Sequence, residues 1–326
     1  MLYVNLGTSG LRVSRLCFGA MSFGTLRPWT VNEDEAKRFV KKALDGGINF
    51  FDTAEVYASG QSEEILGRAL KELVSHREDV VIATKVFGGT ADRKENRWSL
   101  SRKHILYEVD QSLKRLGTDY IDLYQIHRLD ARTPIEETLD ALTDTVRAGK
   151  VRYIGASSMW AWQFERALNV SEKHGYAKFV SMQNHVNLVY REEEREMIPL
   201  CRDRGVGVIP WSPLARGFLA GNRTREGAKT TRAKTDEFFQ VPPVDLENDF
   251  EIFARVQELA ERHNKPTAVI ALSWLLAQPG ITAPIIGATK LEQLEQSLPA
   301  VDFTLTPDEI KYLGELYRPH NIRGHM

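Results

Sequence analysis

In the stretch FDTAEVY an acid, Asp52, closes an apolar run, and a tyrosine, Tyr57, follows five positions later. Lys85 closes a second such run, VVIATK, and His127 a third, YIDLYQIH. Taken singly, the four residues have ordinary structural uses. A strand-end aspartate caps a turn, a lysine there reaches for solvent, and a lone histidine is hydrogen-bonded core. Brought together, they can deliver a proton to a carbonyl oxygen. A tyrosine titrates near 10 when unperturbed, too high for efficient transfer near neutrality. A buried ammonium beside it favours the phenolate form, and that ammonium needs a counter-charge, which Asp52 supplies. Neutral His127 can orient the carbonyl and stabilise charge growing on its oxygen. No serine or cysteine nucleophile is paired with a base, and no metal is expected because the His/Cys spacing of a zinc site is missing. A group of this kind still needs a hydride donor.

In a parallel barrel consecutive strands are neighbours, so residues at their ends can converge on one mouth. Short β-branched or aromatic runs alternate with helix-period segments along the chain. The strand candidates are residues 16–21, 49–52, 80–85, 120–127, 151–157, 179–183, 206–211 and 283–288. Between them, SEEILGRALKEL carries an apolar stripe with Ser62 placed as N-cap, and SRKHILYEVDQSLKRLG stops at Gly117. PIEETLDALTDTVRAG opens on Pro134 and closes on Gly149, and runs near 160–174, 191–204 and 266–277 continue the pattern. Strands apolar on both faces, each followed by a helix, predict an α/β fold: a (β/α)₈ TIM barrel over residues 1–326 as one domain. An open dinucleotide-binding sheet would carry G-x-G-x-x-G after its first strand, and CFGAMSFGT does not match it. Residues 2–14 predict an N-terminal β-hairpin around Thr8–Gly10 that plugs the barrel's N-terminal end. Residues 212–249 form a long polar loop after strand seven.

Composition agrees. The 326 residues are 42% apolar and 27% charged, enough for a large core. A formal net charge of −1 offers no field for nucleic acid or an anionic membrane. Two cysteines, Cys17 and Cys201, argue for a reducing compartment, and no signal peptide or membrane span is read, so a cytoplasmic protein is expected.

The chain resembles the aldo-keto reductases over nearly its whole length. The resemblance rests on GTSGLRVSRLCFGAMSFG, GINFFDTAEVY, SEEILGRAL, LKRLGTDYIDLYQIHR, GKVRYIGAS, PWSPLARGFL and PIIGATKLEQL. QIHRLDARTPIEETLDAL and YREEEREMIPLC are similar to the bacterial aryl-alcohol-dehydrogenase-type branch, including its deoxyxylulose-phosphate-associated members. The resemblance implies a barrel that binds NADPH without a Rossmann domain and reduces aldehydes and ketones. Its catalytic tetrad falls on Asp52, Tyr57, Lys85 and His127, with Tyr57 giving the proton.

It also implies that Ser157 and Gln183 hold the nicotinamide carboxamide and that Trp211 stacks on the ring. Ser212, Leu214, Arg216 and Gly217 follow the pyrophosphate, and Gly287, Thr289, Lys290, Gln293, Gln296 and Ser297 hold the adenosine end. The pattern departs from the family at Ser158, at Gln296 and Ser297, and at Ala58, where glycine is common after the tyrosine. Lys290, at a helix start after strand eight, suits a phosphate and hence NADPH over NADH. Six basic residues against Glu226 between Arg216 and Lys234 fit a flap over that cofactor.

Met21, Phe23, Trp29, Phe87, Trp98 and Trp160 are expected around the mouth, where they favour flat apolar carbonyls. Arg128 hints instead at phosphorylated or carboxylated ones. Two rival readings keep the fold: an NADPH-binding regulatory subunit with little turnover, and a Schiff-base lyase using Lys85.

Overall fold

The computed structural model describes residues 1–88, 95–235 and 246–325. Strands β1 (Tyr3–Asn5) and β2 (Arg12–Ser14) form the expected antiparallel hairpin, with Val4 opposite Val13. Then β3 (Cys17–Gly19), α1 (Glu33–Asp45), β4 (Phe50–Asp52), α2 (Gln61–Leu73), β5 (Val81–Val86), α3 (Arg102–Leu116), β6 (Ile121–Ile126) and α4 (Ile135–Arg147) alternate. The alternation continues through β7 (Val151–Ser157), α5 (Ala161–His174), β8 (Phe179–Gln183), α6 (Met197–Asp203) and β9 (Gly207–Val208). After β9 come the short pair β10 (Arg223–Thr224) and β11 (Gly227–Ala228), then α7 (Thr231–Thr235), α8 (Leu246–His263) and α9 (Thr267–Leu276). Strand β12 (Ile285–Ile286) and helices α10 (Leu291–Ser297) and α11 (Pro307–Gly314) complete the order.

Eight strands pair in parallel in the order β12-β3-β4-β5-β6-β7-β8-β9. The sheet's two ends meet through a parallel bridge between Val208 and Ile281 and the Thr282 N–H bond to Val208 O at 2.8 Å. This is the (β/α)₈ fold. All six residues of β5 and all six of β6 are buried, because one face meets the helices and the other the barrel interior. Cys17, Phe50, Val81, Ala83, Leu123 and Ile285 fill that interior. Leu6 and Val13 of the hairpin, both with no exposure, join them and close the bottom of the barrel. Gly7 lets the hairpin lie flush there: at φ 60 a Cβ would stand 2.3 Å from Gly205 O.

Local signals place most helix ends as expected. Gly117 stops α3 at φ 63, and Gly149 follows α4 at φ 73. Ser62 is an exception. Gly60, at φ 92, takes the N-cap position of α2, while the Ser62 hydroxyl is buried and donates to Ala20 O at 2.7 Å. A tertiary acceptor outcompeted the helix terminus. The polar loop expected over 212–249 is shorter at its far end, since α8 begins at Leu246, and its residues 236–245 lie outside the described residues. Among the described residues no helix is long and apolar enough to cross a membrane. Cys17 and Cys201 are both buried free thiols.

Candidate active site

Strand register brings the polar strand ends together. Asp52 ends β4, Lys85 lies one residue from the end of β5 and pairs with Gln125 of β6, and His127 follows β6 directly. Lys85 is fully buried, its Nζ donating to Asp52 Oδ1 at 2.5 Å, to Thr53 O at 2.8 Å and to the Tyr57 hydroxyl at 3.4 Å. Burial, the largest influence, works against the ammonium. The negative charge of Asp52 and the nearby Tyr57 oxygen outweigh it, and Lys85 titrates above its ordinary value. The Tyr57 and His127 rings meet edge to face, 5.8 Å apart. Burial, then the cations of Lys85 and Arg128, hold the His127 imidazole well below its usual range, so it is neutral and can donate one hydrogen bond.

Tyr57 reaches this group through an unusual turn. Ala58 (φ 48) and Ser59 (φ 55) are left-handed, a conformation that favours glycine, before Gly60 caps α2. That explains why glycine suits position 58 and why alanine there is strained.

Two residues supporting the site escaped the sequence reading. Gln125 donates to Asp52 Oδ2 at 3.1 Å and accepts from Gln183 Nε2 at 3.2 Å. Its signal was present, since Gln125 lies two positions before His127 and strand residues so spaced share a face. Glu55 accepts the N–H groups of Phe87 and Gly88 at 2.7 and 2.6 Å, fixing the backbone just beyond Lys85.

The candidate cofactor residues divide into those joined to this group and those further out. Gln183 Nε2 also donates to Asp52 Oδ2 at 3.0 Å, and the Ser157 hydroxyl donates to Gln183 O at 2.8 Å. The Trp211 ring stacks on His185 at 4.1 Å, and its Nε1 donates to Ser158 Oγ at 3.1 Å. Beyond it the backbone is left-handed at Ser212 (φ 51), Ala215 (φ 47), Arg216 (φ 57) and Gly217 (φ 90), with Leu214 half-buried among them. Within the run the Ala215 N–H bonds Ser212 O and the Gly217 N–H bonds Leu214 O, and backbone strain of this kind concentrates at ligand sites. Gly287, Lys290 and Gln296 are exposed at the rim, while Thr289 is half-buried. Gln293 Oε1 accepts the N–H groups of Thr289 and Lys290 at 2.9 and 3.2 Å, and Ser297 turns its hydroxyl inward to Gln293 O. A half-buried indole leading into a strained left-handed turn, with a lysine at the rim, fits an extended dinucleotide.

The aromatics expected around the mouth separate. Phe23 has no exposure and packs on Phe18, so it is core. Phe87 and Trp98 meet edge to face at 5.9 Å, and Arg232 of the post-β9 segment lies 4.5 Å over the Trp29 ring. Met21 and Trp160 stay exposed. Arg128 donates to His127 O and to Ser157 Oγ. The chain's end, unread in the sequence, also reaches this face. Gly324 lies against Trp211, the His325 ring packs on Trp160 at 4.7 Å, and His325 Nε2 is 3.0 Å from Glu193 Oε1.

Residues 15–318 match the aldo/keto reductase family. The chain belongs to that family. It is similar to an aldo-keto reductase of Fusarium vanettenii, 44% identical over 99% of this chain and 93% of that protein. It is equally similar to versiconal hemiacetal acetate reductase of Aspergillus parasiticus, 44% identical over 99% of this chain and 98% of the relative. An aryl-alcohol dehydrogenase-like protein of Schizosaccharomyces pombe is 43% identical over 100% of this chain and 98% of its own length. These relatives are fungal and give no support to the bacterial, deoxyxylulose-phosphate-associated branch expected from sequence. As an aldo/keto reductase the chain is an oxidoreductase that reduces carbonyls, in a family that uses NAD(P)H.

Proposed function

We propose that this aldo/keto reductase is a single-domain NADPH-dependent enzyme that reduces aldehydes (aryl, furan or small aliphatic) and ketones to alcohols. The contact that carries the proposal is the buried Lys85 ammonium, held by Asp52 and 3.4 Å from the Tyr57 oxygen. In this reading a carbonyl oxygen accepts hydrogen bonds from the Tyr57 hydroxyl and from neutral His127. As negative charge builds on that oxygen, Tyr57 donates its proton, and Lys85 stabilises the phenolate left behind. Asp52 keeps Lys85 charged, while Gln125 and Gln183 orient the second carboxylate oxygen.

NADPH, when bound, supplies the hydride. Ser157, Gln183 and Trp211 would hold its nicotinamide, and Ser212, Leu214, Arg216 and Gly217 its pyrophosphate. Gly287, Thr289, Lys290, Gln293, Gln296 and Ser297 would line the adenosine end. The exposed Lys290 and the Arg232–Trp29 contact support a phosphate-selective, partly covered groove. Phe87, Trp98 and Trp160 favour flat apolar substrates. Two buried free thiols suit the cytoplasm. A charged, paired Lys85 disfavours Schiff-base chemistry, which needs a neutral amine.

Tyr57→Phe tests the assignment. NADPH oxidation with a nitrobenzaldehyde should fall by about three orders of magnitude or more, the scale of a lost general acid. NADPH binding, followed by quenching of tryptophan fluorescence, should persist. Full turnover in the variant would assign the proton to another donor. Absence of turnover in the unaltered chain would leave the regulatory subunit as the better reading.

A further inference from the structure

Behind the loop that carries Tyr57, between the strand ends and α3, lies a second buried polar cluster, none of whose side chains touches Tyr57, Lys85 or His127 in the contacts above. Glu55, Glu63 and Glu108 are buried to 0, 0 and 3% exposure. Arg115 pairs with Glu63 at 2.6 Å and also with Glu108, and the Thr84 hydroxyl donates to Glu63 at 2.6 Å. Glu63 is therefore fully engaged. Glu55 and Glu108 turn toward a third residue, His104, which is 2% exposed. One carboxylate oxygen from each and one ring nitrogen of His104 all lie within 4.8 Å of one another.

His104 Nε2 is buried and makes no hydrogen bond among the described residues, and neither does the fully buried hydroxyl of Tyr124 on β6. Native interiors seldom leave such atoms unmet, because each has given up its water. A proton shared by Glu55 and Glu108 would relieve the two carboxylates and leave the imidazole lone pair without a use. A divalent cation answers both needs, since it draws two carboxylates and a neutral imidazole to itself.

We propose that Glu55, His104 and Glu108 form a binding site for a divalent first-row transition cation, zinc or manganese. Carboxylate oxygens and imidazole nitrogens are the ligands such ions take. Around a tetrahedral zinc, ligand atoms stand roughly 3.5 Å apart, so small side-chain rotations close the site. His104 and Glu108 are four positions apart on α3 and share one of its faces, which presents them as a ready pair. The ion touches no substrate. Glu55 lies between Asp52 and Tyr57 and clamps Phe87 and Gly88 beyond Lys85, so the ion ties the backbone bearing both residues to α3. It is a positioning site, read first in stability.

The chain is dialysed against a chelator, returned to zinc or manganese alone, and its bound metal measured by elemental analysis. One ion per chain is expected, with a thermal midpoint that rises and saturates with metal concentration. His104→Gln and Glu108→Gln should each remove the ion and the rise while keeping the circular dichroism of the unaltered chain. Two results overturn the proposal: no stoichiometric ion and no shift with either metal, which returns the cluster to a shared proton, or retention of the ion in both variants. Should a variant fail to fold, anomalous scattering from zinc in crystals of the unaltered chain decides, and a peak away from Glu55, His104 and Glu108 rejects the site.

Discussion

Lys85 Nζ stands 2.5 Å from Asp52 Oδ1 at a position with no solvent exposure, and the same nitrogen is 3.4 Å from the Tyr57 oxygen. One cation thus links a carboxylate to a phenol. The pair is a weak source of net stability, because desolvating two ions offsets most of their attraction. Removing one member is a different matter.

Asp52→Asn keeps the shape of the side chain but leaves the Lys85 ammonium buried without its counter-charge. A loss of about 3–5 kcal/mol in unfolding free energy is expected from urea titration, the usual consequence of breaking a buried pair. A loss below about 1 kcal/mol would mean that Lys85 is not charged in the folded chain.

Ala58→Gly should stabilise the protein. Position 58 holds φ 48, where a Cβ costs about 1–2 kcal/mol and glycine costs little. The greater freedom of glycine in the unfolded chain returns part of that, so a gain of roughly 0.5–1 kcal/mol is expected. Thermal denaturation measures it, and a lower midpoint would show that the turn is not strained at this residue.

Lys290→Ala should weaken NADPH about tenfold, as for loss of one hydrogen bond to a charged group, and leave NADH little changed. KM values with both cofactors at one aldehyde concentration report the ratio. Equal losses with both would place the phosphate elsewhere.

Stability should fall as the solution is acidified from pH 7 toward 5. Burial and nearby cations hold His127 well below its usual range and His185 down at about 3. Below about pH 6.5 the unfolded chain takes up protons at these positions while the folded chain does not. Unfolding free energy then drops by up to about 1.4 kcal/mol per pH unit for each histidine. Glu108 and Asp122, raised by burial, act with the opposite sign and blunt the slope. Urea titrations at pH 7, 6 and 5 check the sign, and a stability that rises on acidification would contradict the neutral assignment of both histidines.

Much of this site could be read from local pattern. The eightfold alternation marks strands buried on both faces, and a closed parallel sheet makes consecutive strands neighbours. Polar residues at the ends of consecutive strands must then converge, so Asp52, Lys85 and His127 were identifiable before any coordinates. Gln125 was equally legible by its two-residue spacing from His127.

Other features depend on residues far apart in the chain. Gln183 and Asp52 are hydrogen-bonded across 131 positions, and the Ser62 hydroxyl found Ala20 O instead of capping α2. Gly324 reached Trp211 across 113 positions of sequence, and His104 met Glu55 through the packing of α3 on the sheet. Periodicity encodes which face of an element is apolar, and neighbour order follows from it. Which polar atom meets which across the assembled barrel is set by side-chain packing and by competition among partners, and these exist only once the chain has closed.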